Sequence, residues 1–190
     1  MLLTFGAGAH AASSQALGNE ITPASKPVSV SQSAIHDAAA VTLSYATMAK
    51  IFADYEVEAS TRALGMSTDA GVRAFAFRIS KSHTEDAADL SIMLVQLGAD
   101  GAPKTDPEHH ALLDQLGRAS LENFDRTFLE QQAESHKEAL AMHVAYYSRG
   151  TSQTLAAFAD KSATAARADL IEARKLLDAL SAKDLQIVAP

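Results

Sequence analysis

The sequence predicts an all-α fold: an antiparallel four-helix bundle whose one long crossover carries a short helix. Three observations predict it. The apolar content is rich in Ala and lacks Trp and Cys, and the 9 Gly and 5 Pro gather at a few points, which suits close-packed helices better than sheet. Apolar residues recur every three or four positions through four long stretches, the period of one helix face. The first and last breaks between those stretches are short and the middle one is long, which pairs the helices as two antiparallel hairpins joined by a crossover. With 190 residues, 47% hydrophobic and 21% charged, the chain is sized for one domain with a core several layers deep.

The N-terminal stretch MLLTFGAGAHAASSQ has a short apolar run and then small residues, with Ala9 and Ala11 spaced as an A-x-A cleavage site. The positively charged segment that opens a secretory signal is missing. Residues 1–11 are read as a signal-peptide remnant, which implies a periplasmic or secreted protein; a native tail of small residues is the alternative. Residues 12–33 are rich in Ser, Ala and Pro without apolar periodicity and predict a disordered lead-in. The bundle domain is expected over residues 34–185, with Ser31 or Ser33 available to cap its first helix.

That helix is predicted to run to about Gly65, with Tyr45, Met48, Phe52, Ala59, Ala63 and Met66 on one face. Glu56 falls inside the same series. Glu58 lies two positions on, about 200° around the helix, and shares a face with Asp54, Thr61 and Arg62. Glu56 is therefore expected to be buried, and Glu58 to be exposed and paired with Arg62. At the turn STDAG, Thr68 or Asp69 caps a second helix that reaches about Leu97 and stops at Gly98. Its inward face reads Val72, Phe75, Ala76, Ile79, His83, Ala87, Leu90, Leu94 and Leu97, so His83 stands mid-stripe. Asp86 is near enough to hold the imidazole in one tautomer.

The long connection, residues 98–120, contains Asp106-Pro107, a good start for a short helix whose Leu112, Leu113 and Leu116 cover one bundle end. His109 and His110 are adjacent, point in different directions and are read as exposed. The third long helix is expected from Ser120 to Gly150, with Leu121, Phe124, Phe128, Leu129, Ala133, His136, Leu140, His143, Val144 and Tyr147 as its stripe. The fourth opens at Thr151 or Ser152 and turns Leu155, Phe158, Ser162, Ala166, Asp169, Ala173, Leu176 and Leu180 inward.

Composition excludes several functions. A formal charge of −7 leaves no basic patch for nucleic acid or an anionic lipid surface. No apolar run approaches the roughly 20 residues that span a bilayer. Without Cys there are no disulfides, Cys-ligated zinc or iron–sulfur clusters. Neither a phosphate-binding glycine loop nor a nucleophile elbow occurs, so no hydrolase or transferase is indicated.

The blocks YEVEASTRAL, VRAFAFRISKSHTEDAADL, DPEHHALLDQL and FDRTFLEQQAESHKEAL, in that order and spacing, resemble an exported, ferritin-like bacterial family, domain of unknown function 4142 (DUF4142). The resemblance covers roughly residues 43–180. It implies a Glu on the first helix, Asp-His-Thr on the second, and a His on each of the last two. This chain matches at Glu56, at His83 with Thr84, and at His136; it departs at Ser82, where Asp is usual, and at Asp169, where the last His is expected.

Glu56, His83, His136 and Asp169 thus form a set of inward polar residues, and two readings of it stay open. Two imidazoles and two carboxylates can ligate zinc, iron or manganese, as ferritin-like bundles do from facing helices. The Glu-x-x-His pair of di-iron bundles is absent, with Ser80 before His83 and Ala133 before His136. Alternatively the four bond to one another as a structural network; haem held by His83 and His136 is a minor third reading. At about 1.5 Å per residue, Glu56 and His83 stand roughly 18 and 22 Å from their turn, and His136 and Asp169 roughly 22 and 28 Å from theirs, which makes Asp169 the weakest member. Two function classes follow. One is a structural or stress-related envelope module that is not an enzyme and binds a protein partner or its own copies; the other is a metal-binding bundle.

Overall fold

Asp69 and Gly98 mark how sharply the chain ends and restarts its helices. The Asp69 carboxylate accepts hydrogen bonds from the N–H groups of Gly71 (2.8 Å) and Val72 (3.1 Å), satisfying donors that the first turn of a helix leaves free. Gly98, at φ 78°, turns the chain into the left-handed region, and the N–H of Ala99 reaches back to the carbonyl of Leu94, a Schellman closure. In this computed structural model residues 32–99 and 105–188 are described. The signal remnant 1–11 and nearly all of the lead-in lie outside them.

The described residues form α1 (Gln32–Met66), α2 (Ala70–Gln96), α3 (Pro107–Arg118), α4 (Leu121–Arg149) and α5 (Gln153–Val188), with no strand among them. The α1/α2 and α4/α5 hairpins are closely packed pairs, and they meet through α1 against α4 and α2 against α5. One apolar cluster gathers Ala59 and Ala63 from α1, Val72 and Phe75 from α2, Phe124 from α4 and Ala173 from α5, with α3 laid over it. A second gathers Tyr45, Leu90, Tyr146 and Leu155 at the other end. The turn of one hairpin therefore lies at the opposite end of the bundle from the turn of the other. The crossover must climb the full length between them, which is why it is long.

Between the two clusters the packed apolar layer thins to Phe52, Ala139 and Ala166. Polar residues fill the gap: Glu56, Gln132, Ser135, His136, Ser162 and Asp169 are all buried there.

The face assignments hold in the middle of each helix and drift at the ends. Glu56 is fully buried while the Glu58 side chain is 54% exposed and paired with Arg62 at 2.6 Å, as expected. Met48 and Met66, placed inward by sequence, are exposed, as are Leu97, Leu121, Val144 and Tyr147. On α4 Phe124, Phe128, Leu129, His136 and His143 are buried as expected, and the buried line also takes in Gln131, Gln132, Ser135, Ala139 and Tyr146. A stripe read from apolar identity follows the hydrophobic letters, and here several inward positions are polar. His109, expected to be exposed, is half-buried, because its ring bonds the capping Asp106 at 2.9 Å and lies 4.8 Å from the Tyr55 ring. His110 is exposed, as read.

Candidate metal centre

His136 is the hub of the polar layer. Its Nδ1 lies 2.9 Å from the carbonyl oxygen of Gln132 one turn back. A carbonyl only accepts, so Nδ1 carries the proton and Nε2 carries the lone pair. Nε2 is buried and has no hydrogen-bond partner. It stands 3.6 Å from Asp169 Oδ2, beyond hydrogen-bonding range and on the side of the ring away from Gln132.

Asp169 reaches this position because α5 turns it inward in register with Ser162 and Ala166. Its Oδ1 accepts from Arg78 of α2, whose other terminal nitrogen bonds Glu172 at 2.6 Å. One carboxylate oxygen is thus fixed to a cation at the bundle edge, and the other faces His136.

His83 completes the group. Its ring centroid is 5.7 Å from that of His136, and Phe52 packs edge-on against both rings at 5.2 and 5.6 Å. His83 Nδ1 is buried without a hydrogen-bond partner, and Asp86 Oδ2 lies 3.9 Å from it. Burial, helped by the nearby His136, His143 and Arg78, pushes the His83 pKa down to about 3. The ring is a neutral base at physiological pH, the form that ligates metals.

One nitrogen from each of these imidazoles and one oxygen of Asp169 lie within 4.8 Å of one another. Bonds of about 2.1 Å to a tetrahedral ion would place ligand atoms roughly 3.4 Å apart. The His136–Asp169 edge, at 3.6 Å, is already near that spacing. A direct hydrogen-bond network would instead bring the heads to about 2.7–3.2 Å. No hydrogen bond joins any two of Glu56, His83, His136 and Asp169 among the described residues. The direct contacts of a network are not made: Glu56 accepts from Ser135, His136 bonds the Gln132 carbonyl and Asp169 accepts from Arg78, while His83 Nδ1 has no partner.

Glu56 lies on the other edge of the imidazole, its Oε1 3.9 Å from His136 Nδ1 and accepting from the Ser135 hydroxyl at 2.7 Å. Burial raises its pKa, against the opposing pull of His136, Ser135 and Gln132. Its Oε2 has no partner. Of the four residues singled out by sequence, the structure brings three together and sets Glu56 behind the ligand face. Asp169, placed weakest by its height, belongs to the trio.

Arg78, Gln132, Ser135 and Ser162 were missed or left unremarked as site residues. Ser162 had been placed on the inward face; nothing in the others' identity separated them from the ordinary polar residues of a helix.

A cavity of about 160 Å³ opens beside the trio, lined by His83, Asp169, His143, Ser162 and Asp86 together with apolar side chains such as Phe158. His143 bonds Tyr45 through Nδ1 at 2.9 Å and is buried.

A family model described as "Domain of unknown function (DUF4142)" matches residues 25–176. No curated protein matches. Among solved structures, a crystal structure of a DUF305 fragment from Deinococcus radiodurans is similar, at TM-score 0.66 and 18% identity, over 73% of this chain and 95% of that one. At that identity the likeness speaks for the fold. No described helix is long and apolar enough to cross a membrane.

Proposed function

This chain belongs to the DUF4142 family, and from that membership and the buried trio we propose that it is a metal-binding helical-bundle protein of the cell envelope. The observation that carries the reading is the unpartnered Nε2 of His136, held 3.6 Å from a carboxylate oxygen in a layer where His83 Nδ1 and Glu56 Oε2 are unpartnered too. Leaving a buried polar atom unpaired costs about 1–3 kcal/mol, so several in one layer argue for a ligand that satisfies them together. A divalent ion among His83, His136 and Asp169 takes up the free Nε2 of His136 and an imidazole nitrogen of His83 beside the Asp169 carboxylate.

Two imidazoles and one carboxylate suit Zn, Fe(II) or Mn and leave coordination positions free. His83, His136 and Asp169 would hold the ion. The Gln132 carbonyl fixes the His136 tautomer, and Arg78 aims the Asp169 carboxylate, as groups behind metal ligands commonly do. Glu56 stands behind the His136 ring, with Oε1 3.9 Å from its Nδ1. Haem is a poorer fit, because Phe52 packs edge-on against both imidazoles.

The envelope assignment rests on the apolar run and the Ala9/Ala11 spacing. N-terminal sequencing of protein recovered from its native compartment is expected to begin at or near Ala12, whereas an intact Met1 there overturns it. The metal reading is tested by comparing the parent with His83→Ala/His136→Ala for metal content and melting temperature after metal-replete purification. Metal bound by the parent and lost from the variant is the expected result. A ligand at a hundred times its dissociation constant adds about 2.7 kcal/mol to the folded state, and that increment disappears with the imidazoles. A parent that takes up no metal makes the polar layer structural, and the chain is then an interaction module.

A further inference from the structure

Building on the metal reading, we propose that the cavity beside the trio admits a small exogenous ligand. It is a two- or three-atom oxygen or nitrogen donor, of the size of peroxide or azide, that takes a free coordination position on the ion and is held by the Ser162 hydroxyl.

Size and lining set the ligand class. A space of about 160 Å³ is comparable to engineered cavities that hold a benzene-sized molecule, too small for a sugar or a nucleotide. Ala49, Ala53, Leu90 and Phe158 make apolar walls, so a highly charged or bulky occupant gains nothing from them. Its polar lining comprises His83, Asp169, Ser162 and His143, with Ser82, Glu85, Asp86 and Lys161.

Ser162 and Ser60 differ from most hydroxyls of this fold in being buried without a partner, and of the two Ser162 lines the cavity. Thr42, Thr61, Thr84, Ser91, Ser148 and Thr164 each donate to the carbonyl four residues back, the usual way a helical hydroxyl is satisfied. The Ser162 hydroxyl makes no hydrogen bond, although the residue is only 7% exposed. Ser162 also lies seven residues before Asp169, so α5 presents both on one face. A buried hydroxyl left without a partner beside a ligand set is a built donor.

His143 supplies a second donor. Tyr45 is buried and its pKa is raised by that burial, so the phenol keeps its proton and donates it to His143 Nδ1. The ring proton of His143 then sits on Nε2. Two donors and an open coordination position together select a ligand rich in lone pairs.

The test uses Co(II) as the metal and azide as the probe, followed by visible absorption. Co(II) loading of the full chain should produce ligand-field bands, and azide should change them saturably. Ser162→Ala should weaken azide roughly tenfold, the loss of one hydrogen bond to an anion, with Co(II) affinity unchanged. If the Co(II) bands form but azide leaves them unaltered, or if Ser162→Ala binds azide as the parent does, the ligand proposal is wrong while the metal site stands. If no Co(II) bands form, the metal reading fails and this inference fails with it.

Discussion

Replacing Arg78 with Met isolates how the buried carboxylate is held. Asp169 is almost entirely buried, and among the described residues its hydrogen-bond donor is Arg78, whose own side chain is 45% exposed. Removing one partner of a fully buried pair costs about 3–5 kcal/mol, because the remaining charge is left without compensation. Half-exposure of the guanidinium screens the pair, so the expected cost of Arg78→Met is nearer 2 kcal/mol. For a chain of this size that is a fall of about 4–8 °C in melting temperature. Arg78 also stacks over Phe75, at 5.3 Å from the ring centroid, and part of the loss comes from there. A double-mutant cycle removes that part. In an Asp169→Asn background no buried charge remains to be stranded, so Arg78→Met should cost at least 1 kcal/mol less than in the parent. Urea unfolding of metal-free protein, followed by circular dichroism, measures all four corners. Equal costs in the two backgrounds would refute the claim that Arg78 acts through Asp169.

Two further outcomes concern groups outside the trio. Asp69→Ala removes the cap of α2 and should cost about 1 kcal/mol. Lys183 and then the capping N–H groups hold the Asp69 carboxyl below its ordinary range, so its contribution is present above the unfolded value near pH 4 and is lost as pH falls through the lower folded value. Acid titration of stability should therefore show a shallower low-pH limb in Asp69→Ala. His143 behaves with the same sign over a different window: burial, with His136 nearby, brings its pKa down to about 4, against about 6.5 when unfolded. Its contribution is complete above pH 6.5 and declines by about 2–3 kcal/mol as pH falls to 4.5 in metal-free protein. His143→Gln should flatten that decline in urea unfolding at pH 7.5 and 4.5; an unchanged slope would assign the acid sensitivity to other groups.

Much of the fold was legible because helix period, capping residues and loop lengths are local properties. Asp69, Gly98, Pro107 and Ser120 stand where helices start or stop, and the contrast between Glu56 and Glu58 needed only 100° per residue. What escaped was the tertiary part. Gln131, Gln132 and Ser135 are buried on α4 because that height of the bundle is a polar layer, and no single-helix pattern announces a layer shared by four helices. Met48 and Met66 were drawn into the α1 face by their apolar identity, yet they flank the packed stripe. The site divided along the same line. His83 and His136 could be found from mid-stripe position alone, but choosing between Glu56 and Asp169 required the offset between two hairpins. Heights measured from each hairpin's own turn carry no such offset, because the turns lie at opposite ends of the bundle.

The most direct measurement is diffraction from crystals of the metal-loaded protein at wavelengths on either side of the metal's absorption edge, which locates the ion itself. The account predicts one anomalous peak in the polar layer, about 2.0–2.2 Å from a nitrogen of His83, from Nε2 of His136 and from an oxygen of Asp169, with Glu56 outside bonding distance. A peak elsewhere on the bundle would contradict it, as would ligation through Glu56 in place of Asp169, or a polar layer bridged only by water.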